Sequence, residues 1–123
     1  MIITLSEKSA QNVLFVDQMM VGETVRIDLS RRSCFDGHTY ELSITKLIKD
    51  YEVIYNKKTS IITLDKFKLI QRFEKELRKK HSSNCSIVDQ YLITNTTTHE
   101  TLKVIDESCA WNGFLNLIEK LEL

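Results

Sequence analysis

The stretch VRIDLSRRSCFDGHTYELSI, residues 25–44, decides how this chain is read. Val25, Ile27 and Leu29 alternate with polar neighbours, and Tyr40, Leu42 and Ile44 do the same. A period of two places such residues on one face of an extended strand, so each run predicts a strand with one face on a core. The loop between the runs holds Cys34 and Gly37, and His38 follows at once. One short stretch therefore carries both a fold signal and a chemical question: metal site, catalytic thiol, or a turn that contains a cysteine.

Further strands and helices follow on either side. Residues 2–5 (IITL) suit a short strand. Ser6 can cap a helix over about 7–20, with Glu7 at its positive end and Val13, Val16 and Met20 on one face. Residues 51–55 (YEVIY) and 60–64 (SIITL) flank NKKT, which reads as a hairpin turn. Asp65 is a good N-cap for a longer helix over about 66–80, in which Phe67, Ile70, Phe73 and Leu77 form an apolar stripe. Residues 86–94 and 101–105 read as strands, and WNGFLNLIEKLEL as a short C-terminal helix whose first turn Gly113 weakens. Several strands are consecutive. The pattern predicts an α+β fold: a mixed β core with an N-terminal helix and a longer helix at about 66–80.

Composition bounds the function. At 123 residues the chain reads as a single domain over 1–123. Seventeen Lys and Arg balance seventeen Asp and Glu, which argues against a generally basic nucleic-acid binder. The opening residues lack a basic, then apolar, secretory pattern, and no run approaches a membrane span. Three widely spaced cysteines in such a chain read as reduced thiols, so the expectation is a cytoplasmic protein with no membrane partner.

Thiol and imidazole side chains invite metal. The candidates are Cys34 with His38, Cys85 near His81, and Cys109 near His99. No C-x-x-C spacing fixes two ligands locally, and cysteine is also a common small core residue. A nucleophilic Cys34 with His38 as its base is a further reading, with Arg31 and Arg32 favouring the thiolate. The helix at 66–80 carries Lys66, Lys68, Arg72, Lys75, Arg78, Lys79 and Lys80 against Glu74 and Glu76. This is a solvated face or a docking surface for an acidic partner. Phosphate-binding glycine motifs are absent.

The order of pieces resembles the HesB-like family, the A-type iron–sulfur carriers. IITLSEKSAQNVL is similar to that family's opening, and VRIDLSRRSCFDGHTYELSI occupies the place of its Gly-Cys-Ser-Gly-x-x-Tyr loop, with Gly37 and Tyr40 at the family's spacing. DYEVIYNKKTSIITLDKFKL, YLITN and SCAWNGF follow in the family's order, so the resemblance covers about residues 1–114. Phe35 stands where the loop cysteine is expected, Cys34 lies one residue early, Cys109 matches the first of the C-terminal pair, and Trp111 stands at the second. Cys85 has no counterpart.

The resemblance implies a non-enzymatic protein of iron–sulfur cluster biogenesis. It would bind iron or a cluster through Cys34 and Cys109, with His38 as a substitute ligand. Its partners would be assembly or recipient proteins, and a homodimer would bring four thiolates together. The alternative is a HesB-like module that has lost its metal and binds another protein, with the basic helix and Trp111 as contact surfaces. A small cysteine-dependent enzyme is a distant third.

Overall fold

The structure, a computed structural model, describes residues 2–5, 13–32, 37–79, 88–106 and 111–123. Seven strands form one sheet: β1 (Ile2–Leu5), β2 (Thr24–Arg32), β3 (Gly37–Lys46), β4 (Tyr51–Tyr55), β5 (Lys58–Ile62), β6 (Val88–Asn95) and β7 (Thr101–Asp106). All neighbours pair antiparallel, in the order β1-β7-β6-β2-β3-β4-β5. Two helices, α1 (Leu64–Leu77) and α2 (Gly113–Lys120), complete the described elements. The α+β expectation holds.

Alternation does what the sequence predicts. Val25, Ile27, Leu29, Leu42, Ile44, Val53, Tyr91, Ile93, Leu102 and Val104 are buried on one face, and both helices and residues 14–19 pack onto them. Phe67, Ile70, Phe73 and Leu77 of α1 are all buried against that face. Each such side chain contributes roughly 1.5–3 kcal/mol on burial. The β4–β5 connection is a two-residue turn at Asn56 and Lys57, whose φ of 52° and 64° suits the twist of a tight hairpin.

Three expectations need correction. The helix over about 7–20 is not formed across its described part: residues 13–20 make turns, and 7–12 lie outside the described residues. Leu14, Phe15 and Val16 are buried in succession, while Val13 and Met20 are exposed. A helix stripe cannot bury three consecutive residues, but a segment lying flat on the core can. The N–H groups of Phe15 and Val16 donate to the Glu74 carboxylate at 2.8 and 3.1 Å, so an acceptor on α1 replaces the helix ladder.

The strand expected at 60–64 is β5, which ends at Ile62. The helix starts earlier because Thr63, not Asp65, caps it: its hydroxyl accepts from the Lys66 N–H at 3.3 Å. Asp65 sits in the first turn instead, where its charge suits the positive helix end. The helix ends at Leu77, short of the expected 80.

Gly113 opens α2 because of packing. A Cβ there would overlap the indole of Trp111, which lies over the glycine and against the core. The loss of helix propensity at Gly113 is offset by this close approach.

Candidate functional site

Strand register sets a row of ionisable residues, three of them charged, across one end of the buried face. His38 of β3 pairs with Arg31 of β2, Arg31 pairs with Asp89 of β6, and Asp89 pairs with Asp106 of β7. Directly opposed residues in an antiparallel sheet share a face, so the four stand side by side. The next row inward is Tyr40, Leu29, Tyr91 and Val104. The charged row therefore closes the apolar core at this end.

Arg31 grips Asp89 through two bonds: Nε to Oδ1 at 2.8 Å and NH2 to Oδ2 at 2.9 Å. The planar guanidinium fork matches the carboxylate, which makes this the strong class of pair. The same NH2 donates to the Asn112 side chain at 3.1 Å, tying the start of α2 to the row. Asp89 hydrogen bonding holds Arg31 still more firmly protonated than usual. Arg31 is thus engaged with Asp89 and Asn112, which removes it as the free cation beside a reactive Cys34. Asp89 and Asp106 are both buried, at 5% and 2% exposure.

Behind the row, the Tyr91 hydroxyl is fully buried and, among the described residues, is the buried side-chain oxygen or nitrogen with no hydrogen-bond partner. Burial, then the charges of Asp89 and Asp106, push its ionisation well above the ordinary tyrosine value. Phe73 and Trp111 flank its ring at centroid distances of 5.9 and 5.6 Å.

Cys34 and Cys109 lie outside the described residues, and so do Cys85 and His81. The ends of their segments are described. Arg32 and Gly37, which bound 33–36, pair with each other, and Arg32 pairs with Val88, which follows 80–87. Segment 107–110 runs from Asp106, in the charged row, to Trp111, next to the Asn112 that Arg31 holds. All three cysteine-bearing segments thus join the sheet at one end, on the adjacent strands β7, β6 and β2. His38 stands at the same end and is exposed.

His99 does not belong to this group. It sits in the turn between β6 and β7, at the opposite end of the sheet. At ~3.4 Å per residue it is roughly 20 Å from Asp106, the last described residue before Cys109. Among the described residues no group of three or more His, Cys, Asp or Glu side chains could hold a metal ion. The row is therefore a framework at the strand ends that lead to the cysteines.

The basic helix is also narrower than its sequence. Glu74 is fully buried, Arg78 turns inward to it at 2.7 Å, Lys66 meets Glu122 at 3.3 Å and Lys68 meets Asp65 at 3.7 Å. Arg72, Lys75 and Lys79 remain exposed, and Lys80 lies outside the described residues.

Asp89, Asp106 and the Arg31–Asp89 pair were missed in the sequence, although a signal existed. Asp89 is in phase with Tyr91 and Ile93, Asp106 with Leu102 and Val104, and Arg31 with Val25, Ile27 and Leu29. A charge at a core-phase strand position needs a buried partner, and these supply one another's surroundings.

Fold and site together define an α+β protein whose described residues form a seven-stranded antiparallel sheet, with a row of ionisable residues, two of them buried aspartates, at the strand ends that lead to the three cysteines. No protein-family model, no curated protein and no solved structure matches the chain. Among the described residues, no helix is long and apolar enough to cross a membrane.

Proposed function

We propose that this protein is a non-enzymatic carrier or scaffold for iron or an iron–sulfur cluster, of the HesB-like kind that the sequence resembles. One observation supports the reading: the strand ends that lead into Cys34, Cys85 and Cys109 are neighbours in the sheet. Arg32 and Asp106 are separated by one strand and one residue step, roughly 14 Å at most. Two residues of chain beyond Arg32 and three beyond Asp106 reach about 7 and 11 Å, enough for Cys34 and Cys109 to meet.

The donor set suits the cargo. Thiolates are the usual ligands of iron–sulfur clusters, and imidazole replaces thiolate in some of them. Cys34 and Cys109 are the principal ligands, Cys85 makes a third thiolate, and His38 is the fourth donor. One chain then needs no second copy to complete the set. The Arg31–Asp89 pair holds β2 against β6, so it positions two of the three segments without ligating. The partners would be cytoplasmic proteins that load the cluster or receive it.

Anaerobic reconstitution with ferrous iron and sulfide tests the reading. The expected result is a visible iron–sulfide chromophore with bound iron and sulfide, lost in Cys34→Ser and in Cys109→Ser. A colourless protein without iron defeats it.

A second reading, a metal-free module that binds another protein, is favoured by the sheet's other face. Asp28, Ser30, Thr39, Glu41, Gln90 and Leu92 line a hollow of about 380 Å³ there, and Thr39, Glu41, Ile54 and Asn56 are among those lining another of about 480 Å³. A negative reconstitution would leave this reading in place.

A further inference from the structure

We propose that the β5 edge pairs with the β5 edge of a second copy of this chain, making a homodimer whose sheet runs continuously through both. β5 ends the sheet, and among the described residues no strand pairs with its outer side. Its backbone parity follows from the hairpin. In a two-residue turn the flanking residues, here Tyr55 and Lys58, form a hydrogen-bonded pair, so Ser60 and Ile62 also point their N–H and C=O groups at β4. Thr59 and Ile61 therefore point theirs outward. An unsatisfied edge of this kind is a template for another strand.

Self-pairing fits this edge. With Ser60 on a two-fold axis, Thr59 of each chain faces Ile61 of the other and each pair exchanges both backbone bonds. The flanking side chains are apolar and uncovered: Ile54, Ile61 and Leu64 are 40%, 56% and 55% exposed. Ile54 and Ile61 lie on the same sheet face, so the second copy would bring a matching pair alongside them. Charge complements the register. Lys57 and Lys58 at the turn end come level with the strand end that leads into Asp65 of the second copy, and the Asp65 side chain is 92% exposed, 3.7 Å from Lys68. Symmetry repeats this contact.

The inference is independent of the metal reading. β5 is three strands from β2, and a two-fold axis at Ser60 sends the two cysteine ends in opposite directions along the strands, so at about 4.8 Å per strand and ~3.3 Å per residue they stand over about 50 Å apart and each chain would build its own ligand set.

Mass in solution and amide exchange test it. Light scattering should give the mass of two chains at high concentration and of one on dilution. Amides of Thr59 and Ile61 should be protected only at high concentration, whereas those of Ser60 and Ile62 should be protected throughout. Ile61→Lys should give a folded single chain, and Cys34→Ser should leave the dimer intact. A single chain at every concentration, fast exchange at Thr59 and Ile61 in the dimer, or a dimer that survives Ile61→Lys would overturn the proposal. Loss of the dimer in Cys34→Ser would do the same, by moving the contact to the cysteine end.

Discussion

The Glu74 carboxylate accepts the backbone N–H of Phe15 at 2.8 Å, across 59 positions of sequence. It also accepts from Val16, and Arg78 one turn on binds it at 2.7 Å while donating to the Val13 carbonyl at 3.2 Å. A fully buried carboxylate is costly unless such donors surround it. Here they fasten the segment at 13–19 to α1, closing one side of the core. Desolvation still outweighs those donors and holds the Glu74 pKa above the ordinary carboxylate range.

Breaking that cluster should be among the most damaging single changes. Arg78→Met leaves Glu74 buried without its cation, and Glu74→Ala leaves two amides without an acceptor. Removing one partner of a buried pair costs about 3–5 kcal/mol. Urea unfolding would measure this, and amide exchange at Phe15 and Val16 should accelerate in both variants. An unchanged urea midpoint in both would refute the account.

Tyr91→Phe should stabilise the protein. It removes a buried hydroxyl that lacks a partner, a group whose burial costs about 1–3 kcal/mol. It also changes the alkaline limb. The folded-state pKa of Tyr91 is raised above the ordinary tyrosine value of 10.0, so its contribution is fully present below that value and is lost as pH rises towards the folded one. Wild-type stability should therefore fall more steeply above pH 10.0 than that of Tyr91→Phe, read as urea midpoints against pH.

Phe73 stands among the rings of Tyr91, Trp111 and Phe114, with centroids at 5.9, 5.5 and 6.1 Å. Phe73→Ala should cost about 3–5 kcal/mol. Gly113→Ala should cost about 1–3 kcal/mol by overpacking against Trp111, although alanine is the better helix former. In a Trp111→Ala background the same change should become neutral or favourable. A penalty that persists there would place its cause in the backbone instead.

Reversing Lys75 and Lys79 to glutamate should alter stability by less than about 0.5 kcal/mol, since both are exposed. A partner recovered from lysate by wild type and not by this variant would convert the solvated face into a docking surface. Its association should then weaken with rising salt.

Much of the sheet and of α1 was legible in the sequence. Alternation marked the strands around Ile27 and Leu42, strand-like runs marked those around Val53, Ile93 and Val104, and the Phe67–Leu77 stripe marked the helix, because these signals lie within a few residues of one another. The same reasoning failed over 13–20, where helical spacing of Val13, Val16 and Met20 was real but irrelevant. It also failed at Thr63, because Thr63 and Asp65, two positions apart, could each cap.

The candidate site divides the same way. Cys34, Cys109 and His38 stood out by residue type, as groups that bind metal whatever the fold. Only the tertiary structure brought the strand ends that lead to Cys34, Cys85 and Cys109 to one end of the sheet, set His99 at the other, and placed Arg31 against Asp89. It also turned Glu74 from a surface charge into a buried acceptor. Periodicity reports what neighbouring residues do to one another through the backbone. Which donor meets which acceptor across 59 positions depends on strand register and on the cost of burying an unpaired charge, and both are settled only when the sheet and helix close on a common core.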